Sequence, residues 1–267
     1  MNWVTRSRLV EDLARLGVSD GDVVMVHAGM RSVGPLLGGP DVLVLALLDV
    51  VGENGTIMAY TDWESGVQHL TRDDASESVP QELLNELPPF DPASSRARRA
   101  YGVLPEFLRT WPGAVRSANP DASVCAVGAK AEWLCADHPM QYGYGPGSPF
   151  AKLVSAEGRV LLAGAPLDSV TLLHHSEHMA KLPNKRIIHY CEPVLVDGRK
   201  VWIDIEEFDT SNPVVPTARE DYFATLVKES LDSGAGRTGK IGNGDSYLFD
   251  AAELHQFAVA WMEGKFG

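Results

Sequence analysis

The chain has 267 residues, 45% of them hydrophobic, enough for one large α/β domain or two small ones. Its 36 acidic residues outnumber 23 basic ones, and the formal net charge of −13 argues against a nucleic-acid partner. Three cysteines, Cys125, Cys135 and Cys191, contain no CxxC pair, which excludes a zinc ribbon and speaks against a disulfide framework.

The N-terminus, "MNWVTRSRLVEDLARLG", is charged where a signal peptide needs an apolar run. The longest apolar run, "VLVLALL" at 42–48, is too short to span a bilayer, so the expectation is a cytoplasmic protein without a membrane partner. Leu9, Val10, Leu13 and Leu16 recur at helical spacing and predict a helix over 5–16. A turn leads into a buried strand at 23–28, then a helix over 40–51 with Pro40 suited to its first turn, then a second buried strand at 55–60. This rhythm predicts a layered α/β fold.

Residues 61–100 break the rhythm and read as a long excursion holding a short helix somewhere in "RDDASESVPQELLNEL". Between Asp62 and Asp91 stand Asp62, Glu64, Asp73, Asp74, Glu77, Glu82, Glu86 and Asp91, against the single base Arg72. A solvated loop and an acidic wall for a polycation both fit that pattern. Further on, the pattern predicts a helix near 102–110, a strand at 123–128, a short helix around 129–135 and a Gly/Pro-rich loop at 141–150. A strand at 159–164 leads to a helix over about 169–181, capped by Asp168 or Ser169. "KRIIHYC" and "KVWIDIEEF" read as strands, and amphipathic helices over 218–231 and 251–264 close the chain. No repeat or linker divides it, so a single domain over 1–267 is expected.

"GAGRTGKI" at 234–241 matches both G-x-G-x-x-G and G-x-x-x-x-G-K. Both nucleotide-binding readings need a strand before and a helix after. Here a helix precedes, and Ile241 stands where Ser or Thr should hold magnesium, so the stretch reads as a Gly-rich loop.

"TLLHHSEHMA" at 171–180 contains H-x-x-E-H at His174, Glu177 and His178, the inverted zinc-protease spacing. On a helix, Leu172, Leu173, Ser176, Met179 and Ala180 would face the core, with His174, Glu177, His178 and Lys181 opposite. A zinc site would take its third ligand from Glu206, Glu207 or Asp209. The same carboxylates would equally orient His174 as a general base, and spacing alone does not choose.

Longer segments carry more information: "LGVSDGDVVMVHAGMRSVGPLLGGPD", "GTIMAYTDW", "FDPASSRARRAYGVLPEFLRTWPGAVRSANPDASVCAVG", "YGYGPGSPFAKL", "VLLAGAPLDSVTLLHHSEHMAKLPNKR", "EEFDT" and "DSYLFDAAEL". With these, in this order, the chain resembles the aminoglycoside 3-N-acetyltransferases, the antibiotic N-acetyltransferase family. The resemblance implies an α/β/α fold around a mixed sheet, distinct from the common GCN5-like acetyltransferases. Their [RQ]-x-x-G-x-[GA] signature is approached by "RSVGPL" and fails at Leu36. It implies acetyl transfer from acetyl-CoA to the 3-amine of a 2-deoxystreptamine ring, in a ternary complex and without a metal, by a monomer or homodimer.

Carried over residue by residue, the resemblance makes His174 the catalytic base and Glu207 its buttress. The thioester oxyanion then needs donors, and backbone N–H groups or the nearby Thr171 hydroxyl are the candidates. Arg31, Ser32, Val33, Gly34, Ser117, Ser148 and Phe150 are the implied coenzyme A contacts, with Gly29 in place of the family's usual serine. Glu177 and Asp209 fall on the family's acceptor-side motifs; the acidic stretch from Asp62 to Asp91 would meet the acceptor's other charges, and Tyr60 and Trp63 would pack on its sugar faces. His175 and His178 lie outside the family pattern. A zinc hydrolase and a non-catalytic module that sequesters cations are the alternatives.

Overall fold

Buried side chains alternate along the central strands, and the alternation separates two cores. In β1 (Val23–Ala28), Val23 and Met25 point into one core while Val24 and Val26 point into the other. In β2 (Thr56–Tyr60), Met58 and Tyr60 oppose Ile57 and Ala59 in the same way. A period of two with both faces apolar is the signature of a strand covered by helices on either side.

The computed structural model describes residues 3–75, 79–210, 213–216, 218 and 222–267. Glu77 of the acidic stretch, and residues 219–221 at the start of the helix expected over 218–231, lie outside them. In chain order the elements are α1 (Arg6–Leu16), β1, α2 (Met30–Val33), α3 (Asp41–Val51), β2, α4 (Gln68–Thr71), α5 (Gln81–Glu86) and α6 (Leu104–Arg109). There follow β3 (Val115–Arg116), β4 (Val124–Gly128), α7 (Ala131–Cys135), α8 (Pro149–Ser155), β5 (Arg159–Ala163), α9 (Leu172–Met179), β6 (Ile187–Val196) and β7 (Arg199–Phe208). The chain closes with α10 (Tyr222–Asp232), β8 (Arg237–Ile241), β9 (Gly244–Asp250) and α11 (Ala251–Phe266).

Seven strands form one mixed sheet in the order β3-β4-β2-β1-β5-β9-β8. The central β2, β1 and β5 are parallel and the flanking pairs antiparallel. Leu9 and Leu13 of α1, Leu43 and Leu47 of α3, and Leu104 and Leu108 of α6 cover one face. Leu134, Phe150, Leu172, Leu226 and Leu254, from α7 to α11, cover the other. The expected α/β/α layering around a mixed sheet is therefore present. β6 and β7 form a separate antiparallel hairpin.

Three local readings are corrected. The Gly-rich stretch is not a loop: Arg237–Ile241 is an edge strand paired with β9, and Lys240 binds Asp245 at 2.8 Å. Neither Asp168 nor Ser169 caps α9. Leu167–Ser169 makes a 3₁₀ turn after Pro166, and Thr171 takes the N-cap position without a side-chain bond. Finally, Met179 is exposed while Glu177 is buried, because the polar side of α9 is roofed by other protein elements.

The 61–100 excursion is anchored at several points. Trp63 bridges Ala97, Phe90 bridges Val194 of the hairpin, and these aromatics pack together with ring centroids 5.7 Å apart. Val67 donates its N–H to Glu192 Oε1 at 2.9 Å, and Asp73 donates its own to the carbonyl of His189 at 2.8 Å. Excursion and hairpin thus build one wall.

Candidate active site

The carboxyl ends of β1, β2 and β5 open onto one cavity of about 510 Å³, where open α/β sheets place their ligands. The end of β1 and the residue after it (His27 to Gly29), Tyr60 at the end of β2 with Asp62 just beyond, and the segment from Ala165 to His174 line it. β4 is antiparallel to β2, so it enters the sheet where β2 leaves, and Asp121 at its approach joins the lining. Tyr190 and Glu207 from the hairpin, with Gln68 and Arg98 from the excursion and Tyr101 just after it, complete the opposite side.

His174 lies on the first turn of α9 with its side chain 23% exposed, packed between the rings of Tyr144 and Phe223. Its Nδ1 is 2.7 Å from Glu177 Oε2. Tyr222 donates its hydroxyl to the other oxygen, Glu177 Oε1. Glu177 is 2% exposed and so acts on the ring rather than on solvent. A carboxylate at Nδ1 fixes the tautomer with a hydrogen there, leaving Nε2 as the basic nitrogen.

The expected buttress, Glu207, does something else. Its Oε1 is 2.6 Å from His178 Nε2, and its Oε2 accepts the Gly143 N–H at 2.6 Å. Residues three apart on a helix face one another, so Glu177 is within reach of His174, while β7 arrives one turn further along, beside His178. The H-x-x-E-H spacing therefore serves two His–Glu pairs directed at different carboxylates. Among the described residues, no group of three or more His, Cys, Asp or Glu is arranged to hold a metal ion.

Acidic and phenolic groups dominate the cavity. Tyr60 and Tyr144 share a hydroxyl–hydroxyl hydrogen bond of 2.6 Å, and Tyr60 also donates to the carbonyl of Asp121. Burial pushes both phenols well above their ordinary range. Asp62 is 5% exposed and lies 2.8 Å from Arg98. Burial raises its carboxyl, and the neighbouring charge of Asp121 adds to the rise. Burial lifts Asp121 itself to about 6, and Glu192 behind it to about 9. His27, at the end of β1, is held down to about 4 by burial, so it is neutral.

Tyr60, Asp62, Thr171, His174 and Glu207 are the sequence-derived candidates that reach the cavity lining. Trp63 is in the small Phe90 core and 3% exposed. Asp91 caps its own turn, accepting from the Ala93 N–H and the Ser94 hydroxyl. Asp209 is buried against Arg72, with Arg72 Nη2 3.1 Å from its Oδ2.

The coenzyme candidates divide. Arg31 and Ser32 are exposed on α2 beside the sheet ends. Val33 is core, and Gly34 sits at φ +104° with Asn243 filling the space a Cβ would need. Ser117 is 1% exposed, accepts the Val124 N–H at 3.0 Å and bonds His138 Nδ1 at 2.8 Å. Ser148 caps α8, and Phe150 stacks on Tyr144 at 5.3 Å; both are fully buried. These last three are committed to packing and capping, and their side chains offer no free surface to a ligand.

Sequence reasoning missed Asp121, Tyr144, Tyr190 and Tyr222. No local motif marks them, because β-sheet order and helix packing bring them in from distant segments.

A family model described as aminoglycoside 3-N-acetyltransferase matches residues 25–263. The chain belongs to that family. The aminoglycoside N(3)-acetyltransferase III of Pseudomonas aeruginosa is 45% identical over 264 residues, covering 98% of this chain and 95% of that one. The aminoglycoside N(3)-acetyltransferase VII of Streptomyces paromomycinus is 46% identical over 271 residues, covering 99% and 93%. Among solved structures, AAC-IIIb in binary complex with CoASH superposes with a TM-score of 0.96 at 54% identity, covering 100% of this chain and 98% of that one. AAC-VIa bound to sisomicin gives 0.94 at 36% identity, with both chains fully covered. The fold is thus that of the aminoglycoside 3-N-acetyltransferases, as the sequence segments implied.

Proposed function

We propose that this family member moves the acetyl group of acetyl-CoA to the 3-amino group of an aminoglycoside 2-deoxystreptamine ring, by direct transfer in a ternary complex. The observation that carries the reading is the chain Tyr222–Glu177–His174, which ends at the rim of a cavity lined by carboxylates. An ammonium must lose a proton before it attacks a thioester. His174 Nε2 takes that proton, and Glu177 stabilises the imidazolium as it forms. The nitrogen lone pair then attacks the thioester carbonyl, and collapse of the tetrahedral oxyanion expels the coenzyme thiolate, which takes the extra proton that the newly acylated nitrogen must lose to become a neutral amide. Thr171 is the side-chain hydroxyl next to His174 on the cavity wall, with no capping bond to hold it, and we assign it to the oxyanion.

Asp121 and Asp168, which have no ion-pair partner within 4 Å among the described residues, meet the acceptor's remaining ammonium groups beside the paired Asp62 and Glu207, and Tyr60 and Tyr101 provide ring surface. Carboxylates destabilised by burial gain from a docked cation, which restores the charge balance lost with water. Acetyl-CoA approaches along α2, where Arg31 and Ser32 are free to meet its phosphates. Acetyl-CoA-dependent thiol release measured against a panel of aminoglycosides tests the reading. Release with deoxystreptamine drugs, raised KM for acetyl-CoA in Arg31→Ala, and loss of turnover in His174→Ala are expected. No release with any member of the panel would overturn it.

A further inference from the structure

His178 stands outside the family pattern, yet it is among the most constrained side chains near the cavity. Its Nδ1 is 2.7 Å from the carbonyl oxygen of His174. A carbonyl only accepts, so Nδ1 carries a hydrogen. Its Nε2 faces Glu207 Oε1 at 2.6 Å. Glu207 already accepts the N–H of Gly143 on one oxygen and that of Phe208, at 2.7 Å, on the other. Both Glu207 oxygens thus face donors, and a carboxylate that accepts on both leaves Nε2 to carry a hydrogen as well. Both side chains are nearly sealed from water, 2% and 6% exposed. The edge of the imidazole meets Phe208 with centroids 4.9 Å apart, and the Lys185 ammonium lies 4.7 Å from the same ring. Lys185 also donates to the His178 carbonyl at 2.8 Å, and the rings of Tyr142 and Tyr144 complete the surroundings.

We propose that His178 is a fixed imidazolium that cancels the charge of Glu207 and so sets how many positive charges the acceptor cavity takes. Four carboxylates line the cavity: Asp62, Asp121, Asp168 and Glu207. Arg98 matches Asp62 and His178 matches Glu207, whereas Asp121 and Asp168 have no ion-pair partner within 4 Å among the described residues. A neutral side chain at 178 would leave a third uncompensated acid on the wall. The same pair ties α9 to β7, holding His174 one turn away, so His178 is also a positioning residue. The specificity half of this inference rests on the aminoglycoside reading; the charge on the ring does not.

Two measurements test it. Nitrogen-15 NMR of the histidine rings in the intact protein, with the His178 signal assigned by its loss in His178→Gln, is expected to show both ring nitrogens protonated at neutral pH. A neutral tautomer would overturn the proposal whatever the substrate proves to be. In His178→Gln the amide can still donate to Glu207 but brings no charge. Its KM is expected to fall about 5-fold for the aminoglycosides with most ammonium groups, the size of one unit-charge contact in a watery medium. The fall shrinks with each ammonium removed, and kcat changes less than KM. An equal KM change for every acceptor, or a rise for all of them, would mean that His178 acts only as a structural tie.

Discussion

Glu177 Oε2, not Glu207, lies 2.7 Å from His174 Nδ1, and Tyr222 holds the far oxygen of the same carboxylate. The His174 ring is therefore oriented from within its own helix and steadied from α10. His174→Ala is expected to lower kcat by ~10²–10⁴, and Glu177→Gln to fall in the lower part of that range. Tyr222→Phe, which keeps the ring and loses one donor, should cost less. Glu207→Gln should act more on the acceptor KM than on kcat. Steady-state thiol release ranks the four variants, and a larger kcat loss in Glu207→Gln than in Glu177→Gln would reverse the assignment.

Asp121 makes stability depend on pH in a defined direction. Burial raises its folded value to about 6 from 3.8, so the folded state holds this proton more tightly than the unfolded chain does. Full stability is present below about 3.8 and declines as pH rises through 6, by at most about 3 kcal/mol. Asp121→Asn should therefore melt higher than the parent at pH 8, with the gap closing toward pH 4. Its KM for polycationic acceptors should rise. Melting curves at the two pH values check the first outcome, and a gap independent of pH would contradict it.

Ser117 and Phe150 separate a packing role from a ligand role. Ser117→Ala removes the acceptor for the Val124 N–H and a partner of His138, and should cost about 1–3 kcal/mol. Phe150→Ala empties a fully buried site and should cost about 3–5 kcal/mol. Denaturant unfolding gives the losses. In whatever fraction stays folded, KM for acetyl-CoA should be unchanged, whereas a KM rise matching that of Arg31→Ala would return these residues to the coenzyme site.

Gly29 is a further test. A Cβ built there would come 2.1 Å from the carbonyl oxygen of Gly164, which itself sits at φ +62°. Gly29→Ser, which supplies the hydroxyl that the family resemblance implies for this position, should therefore destabilise the protein by about 1–3 kcal/mol through overcrowding. Thermal melting and activity together check this; a variant with parental melting and higher turnover would show that the two strand ends separate readily.

The layered architecture was legible because burial by helices on both faces writes itself into continuous apolar runs such as "VVMV" and "VLLA". His174 was legible because the segments around it are distinctive. Its partner was not. An i,i+3 contact and a contact to a distant strand are both compatible with the spacing, and only the position of β7 decides between them. Edge strand β8 was missed because a strand exposed on one side needs little hydrophobicity; "RTGK" pairs through its backbone. Trp63 was misplaced because the Phe90–Val194 cluster that buries it assembles from three separate segments. Asp121 carries no signature at all, since it owes its location to one antiparallel strand in a sheet whose centre is parallel.

The cavity wall opposite His174 and the helix that carries His174 come from different stretches of chain. Residues 61–100 and the β6–β7 hairpin interlock through Phe90, Val194 and Glu192, while α9 packs mainly on α11. On the proposed function, acceptor choice and proton transfer are thus open to separate revision: the wall can accumulate substitutions while His174 stays put. His178–Glu207 is a seam between the two parts, so a lineage that alters it changes both at once.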